Sequence, residues 1–182
     1  EPARDKVNQH YAEKSRNGSY KGCGMYSDFR EVLARKDVDA VMVILPDHWH
    51  ALVTVMACRA GKDVYCQKPM SLTVHDGRQM VKAVRDHSRI LQVGSQYRSI
   101  AKTRQMCEWV RNGRLGKVHT VRLSHKSNPI HPCEPSQTPP ESLDWDLWLG
   151  PSPWAGYHPV RCHRSFRWFM DYGGGSLADN GV

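Results

Sequence analysis

Three short apolar runs constrain this chain most. Residues 40–45 (AVMVIL), 64–66 (VYC) and 90–94 (ILQVG) start 24 and 26 residues apart. Each interval holds one helix with its turns, the spacing of repeated βαβ units with right-handed crossovers. β-branched residues dominate the runs and none alternates cleanly, so a parallel sheet covered on both faces is expected. The stretches between read as helices. Residues 48–60 carry Leu52, Val53, Val55, Met56 and Ala57, and Gly61 stands where a C-cap glycine would. Residues 74–87 follow Thr73 and Asp76, an acidic variant of the capping box, with Val74, Gly77, Val81 and Val84 on one face. Two further helices are predicted: 27–36, capped by Ser27 and striped by Phe29, Val32 and Leu33, and 99–112, ending at Gly113.

After that the texture changes. Residues 117–126 (KVHTVRLSHK) alternate, with His119, Val121, Leu123 and His125 on one side, as in a sheet with one solvated face. Residues 128–142 are rich in Pro and Ser and read as a long surface loop. Trp145, Trp148, Trp154 and Trp168 then follow among prolines and glycines. The chain therefore divides into a doubly wound α/β half, residues 1–98, and the start of a second α/β domain, residues 99–182.

Composition narrows the function classes. Of 182 residues, 40% are hydrophobic, enough for a real core, yet no run of apolar residues is long enough to span a membrane. The formal charge of +8 comes from scattered residues rather than runs, which argues against a nucleic-acid partner. The six cysteines (23, 58, 66, 107, 133 and 162) include no Cys-x-x-Cys pair, so they read as free thiols in a reducing, cytoplasmic compartment. The first residue is Glu, and residues 173–182 stop in what reads as a loop entering a helix, so a piece of a longer chain is expected. Periplasmic export stays open because a signal would lie upstream.

In a doubly wound sheet, ligands bind beyond the carboxyl ends of the strands. That rule selects Pro46-Asp47-His48-Trp49-His50, Gln67-Lys68-Pro69 and Ser95-Gln96-Tyr97-Arg98. His48 and His50 have three possible uses. They could grip a metal with His125, His131 or Asp179, since residues i and i+2 of an extended segment point the same way. One could cap the next helix while the other packs at its start. Or both could contact a cofactor or substrate. Lys68 is either a solvated lysine beside a turn or a group drawn partly out of water for acid–base work. Residues 22–27 (GCGMYS) approach a phosphate-binding glycine loop, but no apolar strand precedes them, so they read as a surface turn. Gly173 to Gly175 fit an anion cradle or a flexible turn. Asp179 alone fits a helix cap, and the tryptophans fit either sugar stacking or a core.

Several segments together resemble the glucose–fructose oxidoreductase / inositol dehydrogenase / MocA family. They are residues 37–41 (DVDAV), 46–50 (PDHWH), 60–69 (AGKDVYCQKP), 92–98 (QVGSQYR), 144–151 (DWDLWLGP) and Gly174-Gly175-x-Leu177-x-Asp179, in order over nearly the whole chain. The resemblance implies a partial Rossmann domain, then an α/β domain with a large open, mainly antiparallel sheet that forms homo-oligomers. It implies NAD or NADP as cofactor and a sugar, inositol or related polyol as substrate; no metal is expected, since no spacing enforces a ligand set around His48 and His50. Lys68 matches the lysine of the family's Glu-Lys-Pro motif, near the nicotinamide and the reacting carbon, and Asp179 matches an aspartate that positions substrate. Gln67 departs from the family's Glu. An amide can still hydrogen-bond a ribose hydroxyl but brings no charge to Lys68.

The expectation is an NAD(P)-dependent oxidoreductase that moves a hydride between nicotinamide and a CH–OH carbon. Lys68 and Asp179 would be catalytic. Pro46, His48, His50, Gln67, Lys68 and Gln96 would shape the cofactor side, and Arg98, Tyr157 and Arg164 would contact substrate. Three alternatives remain at this stage: an NAD-dependent glycosidase of the same family, a non-catalytic sugar-binding relative, and a metal-dependent hydrolase using His48 and His50.

Overall fold

A computed structural model describes residues 2–14, 20, 22–124, 127–131 and 134–180. They fall into two compact units, Glu1–Val38 and Asp39–Val182. In the first, helix α1 (Pro2–Lys14) is polar nearly all round, so no apolar stripe announced it in the sequence. Asn8 Oδ1 accepts the Tyr20 hydroxyl at 2.7 Å and the Cys23 N–H at 2.8 Å, tying the glycine turn to α1. Helix α2 (Phe29–Ala34) starts later than the sequence suggested. Asp28, not Ser27, is its cap: the carboxylate takes the Arg30 N–H at 2.9 Å and the Arg30 guanidinium as well, which a hydroxyl cannot match.

The second unit begins with the expected alternation: β1 (Ala40–Val43), α3 (Asp47–Arg59), β2 (Asp63–Gln67), α4 (Val74–Asp86) and β3 (Leu91–Gly94). The strands are parallel in the order β1-β2-β3, with Val43 beside Cys66 and Gln67 beside Gly94. Val43, Val64 and Cys66 are buried together with Val53, Ala57 and Cys58 of α3 and Met80 and Ala83 of α4. Thr73 caps α4 as its spacing implied, accepting the Asp76 N–H at 3.1 Å. Cover on both faces is not found among the described residues: Met42 is 67% exposed and Ile90 69%. The helix expected over 99–112 is α5 (Ala101–Arg111), preceded by a 3-10 turn, Gln96–Ser99.

Among the described residues the open antiparallel sheet is not found either. Residues 117–124 form no strand, and His125 lies outside the described residues. Alternation gives a segment two faces but not a partner, and without ladder hydrogen bonds an extended segment has nothing to hold it. Residues 127–131 and 134–140 have no regular structure, in keeping with a loop.

Downstream, α6 (Trp145–Leu149) is capped by Asp144, which accepts the Leu147 N–H at 2.8 Å. Trp145, Leu149, Tyr157, Cys162, Phe166 and Tyr172 form a second core, with Trp148 packed against it. Trp145 and Trp148 stack at 4.8 Å, so they are packing residues, while Trp154 is 80% exposed. This core is fastened to α3. Trp49 Nε1 donates to the Trp148 carbonyl at 3.0 Å, and the His48 N–H donates to the Tyr172 carbonyl at 3.3 Å. Helix α7 (Gly175–Asn180) follows. Among the described residues no helix is long and apolar enough to cross a membrane. The five described cysteines are free, and Cys133 lies outside the described residues.

Candidate active site

The carboxyl ends of β1 and β2 open onto one cavity of about 660 Å³. Pro46 and Asp47 line it after β1, Gln67 and Lys68 after β2, and Arg164, Arg167 and Asp179 from the downstream segment. Lys68 Nζ donates to Asp179 Oδ1 at 2.8 Å and also to the Asp179 backbone carbonyl. The two side chains are 21% and 23% exposed, so solvent screens the pair only partly. Arg167 Nε stands 3.3 Å from the same Asp179 oxygen.

Burial alone would push the Asp179 carboxyl up. The hydrogen bond and charge of Lys68, with the charge of Arg167, outweigh it and hold the group below the usual carboxylate range. Because the folded value lies below the unfolded one, the cluster's contribution to stability is present above pH ~4 and is lost as pH falls through the folded value. Urea unfolding followed from pH 6 downward should therefore show an acid-dependent loss of stability that Asp179→Asn removes in part. An unchanged pH slope in the variant would refute the coupling.

Other residues set this geometry. Gln67 Oε1 accepts the Lys68 backbone N–H at 2.7 Å and the Gln96 side-chain amide at 2.9 Å, so two predicted residues meet at the strand ends. Asp47 is 6% exposed, and its Oδ2 accepts the Gly174 N–H at 3.4 Å. Burial pushes this carboxyl up, tempered by that N–H. A Cβ on Gly173 would stand 2.9 Å from Arg167 Cα and 3.3 Å from Asp47 Oδ2. The glycine run is thus a tight turn wedged between two neighbours, and it delivers α7 with Asp179 to Lys68.

The two histidines turn inward, which corrects their expected place against a cofactor. His50 is 1% exposed, with Nδ1 2.6 Å from the Pro69 carbonyl and Nε2 2.8 Å from the Leu45 carbonyl. It latches the loops after β1 and β2 to each other. His48 Nε2 donates to the Trp148 carbonyl at 3.1 Å, and burial holds this imidazole below its usual range. A buried ring needs protein partners: both His50 nitrogens and His48 Nε2 have them, while His48 Nδ1 is buried without one among the described residues. Tyr157 is also corrected: it packs edge-on against Trp145 at 5.2 Å and is 8% exposed, so its large apolar ring serves the second core. Arg98 is exposed in the 3-10 turn, apart from the cavity lining, whereas Arg164 lines the cavity. His131 stacks on Phe169 at 5.7 Å, and among the described residues no group of three His, Cys, Asp or Glu could hold a metal ion.

Asp47 and Arg167 escaped the sequence reading. Arg167 had left a signal: Arg161, Arg164 and Arg167 recur every three residues, and Arg164 and Arg167 lie on the 3-10 helix His163–Trp168, where positions i and i+3 eclipse. Asp47 lay in a segment the strand-end rule selected, but its role was not legible, because its partner, Gly174, is 127 residues away.

Comparison with known proteins gives the family. The model of an oxidoreductase family with an NAD-binding Rossmann fold (GFO_IDH_MocA) matches residues 6–95, and that of the family's C-terminal alpha/beta domain matches residues 111–182. The 1,5-anhydro-D-fructose reductase of Ensifer adhaerens is 37% identical over 52% of this chain and 28% of its own length. The inositol 2-dehydrogenase/D-chiro-inositol 3-dehydrogenase of Shouchella clausii is 33% identical over 66% of this chain and 35% of its own. A solved levoglucosan dehydrogenase, in complex with NADH and levoglucosan, aligns with a TM-score of 0.47 and 27% identity over 60% of this chain and 29% of its own. The chain thus spans about a third of the length of these relatives. With both family models matched in order, over residues 6–95 and 111–182, the chain belongs to the Gfo/Idh/MocA oxidoreductase family.

Proposed function

We propose that a protein of the relatives' length carrying this sequence is an NAD(P)-dependent oxidoreductase acting on a CH–OH group of a sugar, inositol or related polyol. The observation that carries this reading is the 2.8 Å Lys68–Asp179 pair at the carboxyl edge of a parallel sheet. In this reading, residues 1–98 belong to the dinucleotide domain and 99–182 to a substrate domain that assembles into homo-oligomers. The free cysteines favour a reducing, cytoplasmic setting.

The strand ends suit the ribose and nicotinamide end of a dinucleotide. Gln67 and Gln96 offer both donor and acceptor groups there, and a Cβ on Gly94 would crowd Gln67 Oε1 at 2.9 Å. When bound, the nicotinamide ring supplies the hydride donor or acceptor. The protein's own residues orient the substrate and handle its proton. A lysine ammonium held against a carboxylate is a proton donor, so Lys68 polarises and protonates the carbonyl oxygen in the reducing direction and is left as the free amine. In the oxidising direction Lys68 first gives up its own proton and, as the free amine, takes the hydroxyl proton, with Asp179 holding its Nζ in line. His50 keeps the two loops in register so that Lys68 and Pro46 face one cavity.

The test is a screen of neutral and acidic sugars and inositols with NAD and NADP. Reduced dinucleotide should accumulate in proportion to oxidised product. Turnover in which dinucleotide is needed but never accumulates would replace this reading with glycoside cleavage by transient oxidation.

A further inference from the structure

The cavity beside Lys68 carries more positive charge than a neutral polyol calls for. Three cations line it, Lys68, Arg164 and Arg167, against two carboxylates, Asp47 and Asp179. Both carboxylates are committed. Asp179 serves Lys68 and Arg167, and buried Asp47 serves the Gly174 N–H. Arg167 is also held over the Phe166 ring at 4.7 Å. Arg164 is exposed, with no carboxylate partner among the described residues. The backbone before it is strained: His163 has φ of +49°, a left-handed conformation in a residue with a side chain. Such a conformation persists only where the surrounding structure over-determines it. It lies at the first residue of the 3-10 turn on which Arg164 and Arg167 share a face.

We propose that Arg164 is the receptor for a carboxylate on the substrate, so that the sugar oxidised at Lys68 is a sugar acid rather than a neutral sugar. A guanidinium presents two parallel N–H donors that match a carboxylate, and it loses less on leaving water than an ammonium does. Anchored there, the acid would present a hydroxyl toward Lys68 across the same cavity. The proposal rests on the oxidoreductase reading and narrows its substrate class.

The test pairs acids with neutral counterparts, glucuronate with glucose and galactonate with galactitol, on the full-length enzyme with its preferred dinucleotide. The acid should be favoured in kcat/KM by about tenfold or more, the scale of one charge-assisted contact. Arg164→Gln should collapse that ratio by raising KM for the acid, Arg164→Lys should restore part of it, and salt should erode it. Neutral sugars turned over as well as their acids would overturn the proposal and leave the oxidoreductase reading intact. A change in the dinucleotide KM with the acid-to-neutral ratio unmoved would also overturn it, assigning Arg164 to a cofactor phosphate. No dinucleotide-dependent oxidation of either class, with glucuronate and glucose binding equally weakly by calorimetry, would bring down both.

Discussion

Lys68→Met should lower kcat by about 10²- to 10⁴-fold, the usual range for loss of a positioned acid–base group. Methionine keeps most of the side chain's length and apolar stem but has no proton to give. The dinucleotide KM should change little, because Gln67 and Gln96 still meet at the strand ends. Lys68→Arg keeps the charge facing Asp179 yet places it on a broader, more basic group, so it should rescue binding more than rate. Steady-state kinetics on the best substrate of the screen would check both. A Met variant within a few fold of the parent would remove Lys68 from the reaction.

The largest effect on stability is expected at Gly150. Its backbone, φ 52° and ψ −117°, lies where residues with a Cβ are strained. A methyl group there would also stand 2.0 Å from Trp49 Cζ2 and 2.3 Å from Cε2. Trp49 is 9% exposed, and its Nε1 already holds the Trp148 carbonyl, so the ring cannot retreat freely. Backbone strain and overpacking together should cost about 3 kcal/mol or more for Gly150→Ala. Gly61→Ala is the control: its φ of +78° is also left-handed, but nothing lies within 4 Å of the added methyl, so only the backbone term, about 1 kcal/mol, is expected. Urea midpoints at constant slope would measure both. Equal losses in the two variants would mean that the Trp49 contact is not a constraint. The consequence reaches the site, because the same first turn of α3 carries Asp47 and His50.

What the sequence made legible was local or periodic. The βαβ spacing, the Thr73 cap and the three segments at the strand ends follow from short-range patterns, and the structure has all of them. Lys68 was readable because it follows a strand and precedes Pro69. Several misreadings concern partners that no local pattern reveals. Nothing in the residues around His50 says that the Pro69 carbonyl, 19 residues on, will face its ring, and nothing near Tyr157 says that Trp145 will cover it. Residues 117–124 alternate as a strand would, but alternation cannot supply the neighbour a strand needs. α1 was missed for the opposite reason, since it has helix bonds but no apolar face to betray them.

The central claim, that chemistry occurs where Lys68 meets Asp179, is tested most directly by a crystal structure of the full-length protein with dinucleotide and a substrate or product bound. The account predicts the nicotinamide ring beyond the ends of β1 and β2, with the reacting oxygen of the ligand within hydrogen-bond distance of Lys68 Nζ and Asp179 still paired to that lysine. A nicotinamide ring at another edge of the sheet, or a bound ligand whose reacting oxygen is held by other groups with Lys68 turned to solvent, would contradict it.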